Sequence, residues 1–160
     1  MKIIIAGAGD VGFHLAKLLS YESQDTYIVD LDGDKLNYIN NHLDVITKNG
    51  DATSIKLLKE IGIGNADLLL AVTENQNTNF TIAVIGKALG VNKTIARIKN
   101  PEFLSSEAID FKDFGVDFMI SPEELAAEEI KLLLHQSSFN DTVAFENGLF
   151  NVMGTTLGYK

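Results

Sequence analysis

The segment Gly7-Ala8-Gly9-Asp10-Val11-Gly12 separates a short apolar run, residues 2–6, from a stretch with helical periodicity. This arrangement is typical of a strand, a tight glycine turn and a helix in succession. The first glycine permits the turn, the second lets a neighbouring group approach the backbone, and the third lets the helix pack close to the strand. The segment therefore predicts a β-α unit whose helix N-terminus is accessible.

Further apolar runs recur along the chain, separated by segments long enough for helices. The predicted strands are residues 2–6, 26–30, 45–48, 67–72, 93–98 and 116–120. They are almost continuously apolar, as expected for strands that are covered by helices on both faces. Because strands that alternate with helices pair in parallel through right-handed crossovers, we predict an α/β fold, a doubly wound Rossmann fold with a six-stranded parallel sheet.

An acidic residue follows the glycine segment at a suitable distance. Asp30 ends the second predicted strand, 18 residues after Gly12. The helix N-terminus would offer N–H groups to a pyrophosphate, while Asp30 would accept hydrogen bonds from both ribose hydroxyls and repel a 2′-phosphate. The combination predicts binding of NAD(H) in preference to NADP(H), or of a simpler adenine nucleotide. The alternative is a glycine turn that binds nothing.

Other candidate site residues follow later strands, because ligands bind at the carboxyl ends of such strands. Gly50-Asp51-Ala52-Thr53 either lines an adenine pocket or forms a turn in which Thr53 caps the next helix. Thr73-Glu74 lies either beside the ligand or in a solvated loop. Arg97, the one arginine, either neutralises a diphosphate or forms a surface ion pair.

The pattern changes after the last predicted strand. Ser121-Pro122-Glu123-Glu124 predicts the start of a helix that ends near Gln136. Two strand-like runs, residues 142–146 and 149–153, flank Asn147-Gly148, a dipeptide favoured in hairpins. We therefore expect a dinucleotide-binding domain over residues 1–138, and a hairpin or linker over residues 139–160 that begins a truncated C-terminal domain.

Composition limits the classes of partner. The net charge of −9 disfavours binding to nucleic acid or to an anionic membrane surface. No apolar run approaches the roughly 18 residues that span a membrane, so we expect no direct membrane insertion. The absence of cysteine excludes disulfides and thiolate metal sites and suits a cytoplasmic location. A single soluble domain is expected from 160 residues.

The chain lacks the common catalytic and metal-binding motifs. It contains no Tyr-x-x-x-Lys pair, no G-x-S-x-G and no G-x-x-x-x-G-K-[ST] sequence. His14, His42 and His135 lack the spacing of metal ligands, and His14 is best interpreted as a residue on a helix surface. We therefore predict that the protein is not an enzyme and has no catalytic residue and no metal ligand.

Several segments together resemble the TrkA-type N-terminal regulatory domain, or RCK/KTN domain, of Trk/Ktr potassium-transport systems. The resemblance covers about residues 1–138 and lies in Met1-Lys2-Ile3-Ile4-Ile5, Gly7–Gly12, Asp30, Gly50-Asp51-Ala52, Ala66-Asp67, Ala71-Val72-Thr73 and Ala96-Arg97-Ile98. It implies a cytoplasmic regulatory subunit that forms a homodimer or a larger ring. Such a subunit lies at the inner face of the membrane through its partner, a potassium transporter or channel, which it gates by binding a nucleotide.

The resemblance also implies roles for individual residues. The diphosphate would contact the glycine segment, and Asp30 would bind the adenosine ribose. The nucleotide would lie between two pairs of residues, with Arg97 near its phosphates; the pairs are Asp51 with Ala52 and Thr73 with Glu74. ATP-responsive members often carry arginine where this chain has Asp10. This difference favours NAD(H) over ATP or ADP as the ligand.

Three functions remain open on the sequence alone. The first is the nucleotide-binding regulatory subunit. The second is a nucleotide-binding fragment of an NAD-dependent oxidoreductase that lacks its catalytic domain. The third is a nucleotide-binding interaction module that serves another partner. The lack of catalytic motifs argues against the second.

Overall fold

The computed structural model describes residues 1–22, 24–105, 109–135, 141–145 and 150–154. The chain divides into two compact units, Met1–Ser121 and Pro122–Lys160. The boundary predicted at residue 138 stays a prediction. None of the described helices is both long enough and apolar enough to cross a membrane.

The first unit contains a six-stranded sheet in which all strands are parallel. Its strands are β1 (Lys2–Ala6), β2 (Asp25–Asp30), β3 (Ile46–Asn49), β4 (Leu68–Ala71), β5 (Lys93–Arg97) and β6 (Phe118–Ile120). They lie in the order β3-β2-β1-β4-β5-β6. The predicted doubly wound Rossmann fold is confirmed, and the predicted strands differ from the observed ones only at their ends.

Helices connect the strands. They are α1 (Asp10–Ser20), α2 (Gly33–His42), α3 (Ile55–Glu60), α4 (Gln76–Ala88) and α5 (Pro101–Leu104). The single turn of α5 and two short 3-10 segments, Ile63–Asn65 and Phe111–Phe114, were not predicted. Elements of three or four residues are too short to show a hydrophobic period, which explains why the sequence pattern missed them.

Both faces of the sheet are buried, and successive residues of β1 show this directly. Ile3 and Ile5 pack in a cluster with side chains of α1 and α2, whereas Ile4 packs in a second cluster with side chains of α3 and α4. All three isoleucines are fully buried. Burial of each such side chain stabilises the fold by about 1.5–3 kcal/mol. Helices on both sides therefore explain why the strands are continuously apolar.

The described residues of the second unit form one helix and an antiparallel pair of strands. The helix α6 (Pro122–His135) begins at its proline, as predicted. The strands β7 (Asp141–Phe145) and β8 (Phe150–Gly154) pair with Phe145 opposite Phe150. The predicted hairpin pairing is present, but the predicted turn at Asn147-Gly148 lies outside the described residues.

Candidate functional site

A cavity of about 600 Å³ lies at the carboxyl ends of the strands. The chain leaves β1 for β2 on one side and later returns to place β4 on the other side of β1. Ligands of open α/β sheets bind where the strand order reverses in this way. The residues that line the cavity are Gly7, Gly9, Asp10, Val11, Val29, Asp30, Leu31, Lys35, Gly50, Asp51, Ala52, Val72, Thr73, Glu74, Asn75, Thr78, Ile82, Arg97 and Lys99.

The glycine segment forms the part of the cavity at the carboxyl end of β1. Gly7 has a φ of +113°, a left-handed conformation that favours glycine. A Cβ atom on Gly12 would overlap the carbonyl oxygen of Gly7, so the third glycine allows α1 to approach the turn. A Cβ atom on Gly9 would meet nothing within 4 Å. Open space therefore lies over the middle glycine, where the sequence predicts a pyrophosphate.

The N-terminus of α1 differs from the other helix starts in the first unit. Side chains of Asp32, Ser54, Asn75 and Asn100 accept hydrogen bonds from the first-turn N–H groups of α2, α3, α4 and α5. The corresponding residue of α1 is Gly9, which has no side chain to offer. The first N–H groups of a helix need an acceptor and attract anions. An anionic group in the cavity would supply that acceptor.

Asp30 joins the end of β2 to the glycine segment. Its Oδ2 accepts a hydrogen bond from the Ala8 N–H at 2.6 Å, and its Oδ1 accepts one from the Asp32 N–H at 2.8 Å. An ionised carboxylate has about four lone-pair positions, so each oxygen can accept a further bond. Asp30 is therefore held in place by the backbone and can still accept from ribose hydroxyls in the cavity.

The loop after β3 holds Asp51 in a fixed and ionised state. Asp51 Oδ1 accepts hydrogen bonds from the N–H of Thr53 at 2.8 Å and from its hydroxyl at 2.7 Å. These two bonds hold the pKa of Asp51 below its ordinary value of 3.8, against the opposing effect of burial. The suggestion that Thr53 caps the next helix is wrong, because Ser54 caps α3 and the Thr53 hydroxyl is committed to Asp51.

The ends of β4 and β5 form the other side of the cavity. Thr73 and Glu74 follow β4, and Arg97 ends β5, with Lys99 two residues further on. The buried Asn79 of α4 connects the two segments through hydrogen bonds to Thr73 and to the Arg97 carbonyl oxygen. This side of the cavity therefore combines two cations, one carboxylate and one hydroxyl.

Comparisons with known proteins agree with this fold. Residues 3–122 match the model of the TrkA-N domain. The chain belongs to the TrkA-N domain family. A Trk system potassium uptake protein TrkA homolog of Archaeoglobus fulgidus is 34% identical over 148 residues, 92% of this chain and 34% of the relative. The TrkA protein of Vibrio alginolyticus is 37% identical over 148 residues, 91% of this chain and 32% of the relative. The chain thus spans about a third of the length of these relatives.

Solved structures with the same fold include domains of several membrane-associated proteins. The TrkA-N domain of the Escherichia coli inner membrane protein ybaL has a TM-score of 0.73 at 16% identity. The match covers 83% of this chain and 96% of the ybaL domain. The GsuK channel bound to NAD has a TM-score of 0.71 at 14% identity, covering 91% of this chain and 25% of that one. GsuK bound to ADP has a TM-score of 0.69 at 23% identity, and the match covers 85% of this chain and 34% of the GsuK chain. At these identities the likeness shows the fold.

Almost all predicted site residues of this TrkA-N domain lie around one cavity. The exceptions among the predicted residues are Ala8, Gly12 and Thr53, which do not line it. Ala8 instead holds Asp30 through its N–H, and Gly12 provides the close packing described above. Binding by any of these residues stays a prediction. His14 is exposed and lies outside this cavity, in agreement with its interpretation as a surface residue.

Sequence reasoning missed several contributors to the TrkA-N site. Lys35 and Lys99 add positive charge to the cavity. Asn79 connects two segments of the cavity wall through hydrogen bonds to Thr73 and Arg97. Lys99 could have been noticed because it follows the end of a strand by two residues, the position type that identified Thr73. Lys35 and Asn79 lie within helices, and their direction depends on helix placement that the sequence alone does not reveal. Among the described residues, no group of three or more acidic or histidine side chains could hold a metal ion.

Proposed function

We propose that this chain is a regulatory domain that binds NAD(H) and thereby gates a membrane potassium transporter or channel. The observation that carries the proposal is the position of Asp30. Its carboxylate is anchored to the glycine segment at 2.6 Å and lines the same cavity as the open Gly9. These two observations support a dinucleotide ligand, because a dinucleotide requires an acceptor for its ribose hydroxyls next to a helix N-terminus that can bind its diphosphate.

The cavity offers a complementary group for each part of a dinucleotide. The diphosphate would bind at the glycine segment and the uncapped start of α1, with positive charge from Arg97 and Lys99. The adenosine ribose would bind Asp30, and the adenine would lie near Asp51-Ala52. The second ribose and the nicotinamide would then extend toward Thr73-Glu74. A volume of about 600 Å³ lies within the range of small-molecule sites.

NAD(H) fits the charges of the site better than ATP or ADP. Asp10 lines the cavity at the start of α1, so its carboxylate would face a chain of phosphates. The two charges of a dinucleotide pyrophosphate are repelled less than the roughly three charges of ADP or the roughly four of ATP near neutral pH. Solved structures of GsuK bound to NAD and to ADP support both nucleotides as ligands of this fold. ATP and ADP therefore serve as the competing ligands in the test.

The potassium-transport role rests on the family and on the names of its members. Both relatives described above are named as Trk system potassium uptake proteins. We infer that this chain works as a homodimer or a larger ring. We also infer that it lies at the inner face of the membrane through its partner, a potassium transporter or channel subunit. No catalytic step is proposed, because a sensor acts through different affinities for two conformational states.

Calorimetric titration of the 160-residue chain with NADH, NAD⁺, NADPH, ATP and ADP tests the ligand. We expect NADH or NAD⁺ to bind more tightly than NADPH and ATP. Equal affinity for NADH and NADPH would contradict the assignment of Asp30. The oxidoreductase alternative is tested by following nicotinamide absorbance with a panel of alcohols and carbonyl compounds. Turnover above the protein-free blank would favour that alternative over a regulatory domain.

A further inference from the structure

Asn79 connects two segments of the cavity wall without lining the cavity itself. It lies in the first turn of α4 and is 1% exposed. Its Oδ1 accepts hydrogen bonds from the N–H of Thr73 at 2.8 Å and from the Thr73 hydroxyl at 2.6 Å. Its Nδ2 donates to the carbonyl oxygens of Thr73 and Arg97, both at 2.9 Å. Each polar atom of the side chain therefore has two partners.

These partners determine the orientation of the amide. The Thr73 N–H can only donate, so the atom that faces it must be the oxygen of Asn79. The carbonyl oxygens of Thr73 and Arg97 can only accept, so the atom that faces them must be the nitrogen. A flipped amide would oppose like groups at three contacts. Because the end of β4 and the end of β5 share this one side chain, Asn79 sets the position of both.

The same bonds determine what the Thr73 hydroxyl can do. A hydroxyl has one proton, and both groups near that of Thr73 are acceptors: the Asn79 Oδ1 at 2.6 Å and the Asn75 carbonyl oxygen at 3.2 Å. The proton is thus committed inside the protein. Thr73 lines the cavity, so its hydroxyl can offer only lone pairs to a group that binds there.

We propose that Asn79 is a positioning residue of the nucleotide site, which holds Thr73 and Arg97 in place and makes the Thr73 hydroxyl a hydrogen-bond acceptor for an O–H or N–H group of the ligand. The inference rests on the proposed nucleotide-binding function. It adds a specificity element, since a ligand group that can only accept would oppose the lone pairs of Thr73.

The variant Asn79→Asp separates positioning from a general effect on stability. Its shape is nearly unchanged, and one oxygen keeps both bonds from Thr73. The other oxygen faces two carbonyl oxygens, which repel it when the carboxylate is ionised. The two bonds from Thr73 favour the ionised carboxyl, whereas nearly complete burial and the two carbonyl oxygens favour the protonated one. We expect burial and the carbonyl oxygens to have the larger effect and to raise the pKa of the introduced carboxyl, so that protonation at mildly acid pH restores one donor. Charged side chains on the two joined segments, Glu74, Arg97 and Lys99, are also present in the unmutated chain, whose pH profile is the baseline.

The experiment is calorimetric titration with NADH at about pH 6 and about pH 8, with thermal unfolding at each pH. The matched control is Asn77→Asp, which adds the same charge on an exposed residue in the same turn of α4. We expect Asn79→Asp to bind NADH roughly tenfold more weakly at the higher pH and to regain most of that loss at the lower pH. The unmutated chain and the control are expected to show no such recovery.

Several outcomes would overturn the inference. The inference is wrong if Asn79→Asp binds NADH as tightly as the unmutated chain at both pH values. It is also wrong if the variant loses NADH affinity by the same factor at both pH values. If this variant does not fold, Thr73→Val is compared with Thr81→Val, which removes a hydroxyl from α4 that bonds the Asn77 carbonyl oxygen. Weaker NADH binding by the former alone supports the inference, and equal binding overturns it. An unmutated chain that binds no nucleotide refutes the proposed function itself.

Discussion

Gly9 and Gly12 lie in the same glycine segment but have different surroundings. A side chain on Gly12 would collide with the backbone of Gly7, whereas a side chain on Gly9 would enter open space beside the cavity. Gly9 has a φ of −71°, which any residue can adopt. We therefore expect substitution of Gly12 to disturb the fold, and substitution of Gly9 to change the site while the fold is retained.

We predict that Gly9→Ser weakens NADH binding without loss of stability. Serine is a favourable N-cap, so its hydroxyl would bond the first N–H groups of α1 and compete with the pyrophosphate. The expected stability change is within about 0.5 kcal/mol, and the expected loss of affinity is roughly tenfold. Calorimetry and urea unfolding measure the two effects. Gly12→Ala is the contrasting variant, expected to lower the urea midpoint, and a Gly9→Ser protein with full affinity would contradict the assignment of the pyrophosphate position.

At Asp30 we predict a loss of both affinity and selectivity. Asp30→Ala removes the acceptor for the ribose hydroxyls together with the anchor of the Ala8 N–H. NADH binding should weaken by about 1–3 kcal/mol, and the preference for NADH over NADPH should narrow because the repelling charge is gone. Asp25→Ala, at the exposed start of the same strand, is the matched control. An unchanged NADH-to-NADPH ratio in Asp30→Ala would show that another residue sets the selectivity.

At the scale of elements, Asp117 connects the edge strand β6 to the rest of the sheet. The residue lies just before β6, and its carboxylate bonds the Lys87 ammonium of α4 at 2.7 Å and the Thr94 N–H of β5 at 2.8 Å. Burial acts to raise the pKa of Asp117, but hydrogen bonds from Lys87 and Thr94 and the charge of Lys87 outweigh it and hold the pKa below 3.8. The ionised carboxylate therefore stabilises the folded state.

A pH dependence of stability follows from this shift. Since the pKa is lower in the folded state, the contribution of Asp117 is fully present above the unfolded pKa and is lost as the pH falls through the folded pKa. We predict that Asp117→Asn lowers the free energy of unfolding by about 1–2 kcal/mol at neutral pH. The difference from the unmutated chain should shrink below about pH 4, as measured by urea unfolding across pH. A difference that is constant with pH would contradict this role, and Asp113→Asn serves as an exposed control.

At the scale of the whole molecule, we predict that α6 forms a surface for association. Leu125, Ile130 and Leu133 on this helix are 57–64% exposed. A contiguous exposed apolar patch usually marks a contact surface, and we expect these three side chains to belong to one. We predict a homodimer at micromolar concentration by light scattering, and a shift toward monomer in Leu133→Glu. A monomeric mass for the unmutated chain at all concentrations would exclude this helix as a sufficient interface.

Nucleotide identity should control the membrane partner. NADH and NAD⁺ differ at the nicotinamide. We therefore expect residues near Thr73–Asn79 to distinguish the two forms and Asp30 to bind both with equal affinity. A coupling of about 1–3 kcal/mol would change transport several-fold. We predict that potassium flux in cells that carry the complete system differs between high and low NADH, and that Gly9→Ser removes the difference. Gly9→Ser is used as the binding-deficient variant because its fold is expected to persist. If potassium flux does not depend on nucleotide with either the unmutated protein or Gly9→Ser, the domain would be a nucleotide-binding scaffold without a regulatory effect.

The amino-acid sequence by itself determined the sheet and the order of the chain through it. Continuous apolar runs such as Ile3-Ile4-Ile5 require cover on both faces, and the helices between them force parallel pairing. The glycine segment and Asp30 predicted one edge of the cavity because strand ends and helix starts are local features. A position defined by its distance from a strand end keeps that place in any doubly wound sheet.

Tertiary structure alone decided which distant side chains meet, both at that edge and at the opposite end of the sheet. Asn79 and Arg97 are 18 residues apart and meet only because β4 and β5 are neighbours in the sheet. Asp117 reaches Lys87 across 30 residues, and Lys35 lines the cavity from within a helix. The sequence pattern shows which face of a helix is apolar, because apolar residues recur with the helical period. A single polar residue forms no repeating pattern, so the sequence does not show what it contacts. Its partner is selected by how the helices and strands pack, and that packing depends on contacts across the whole first unit.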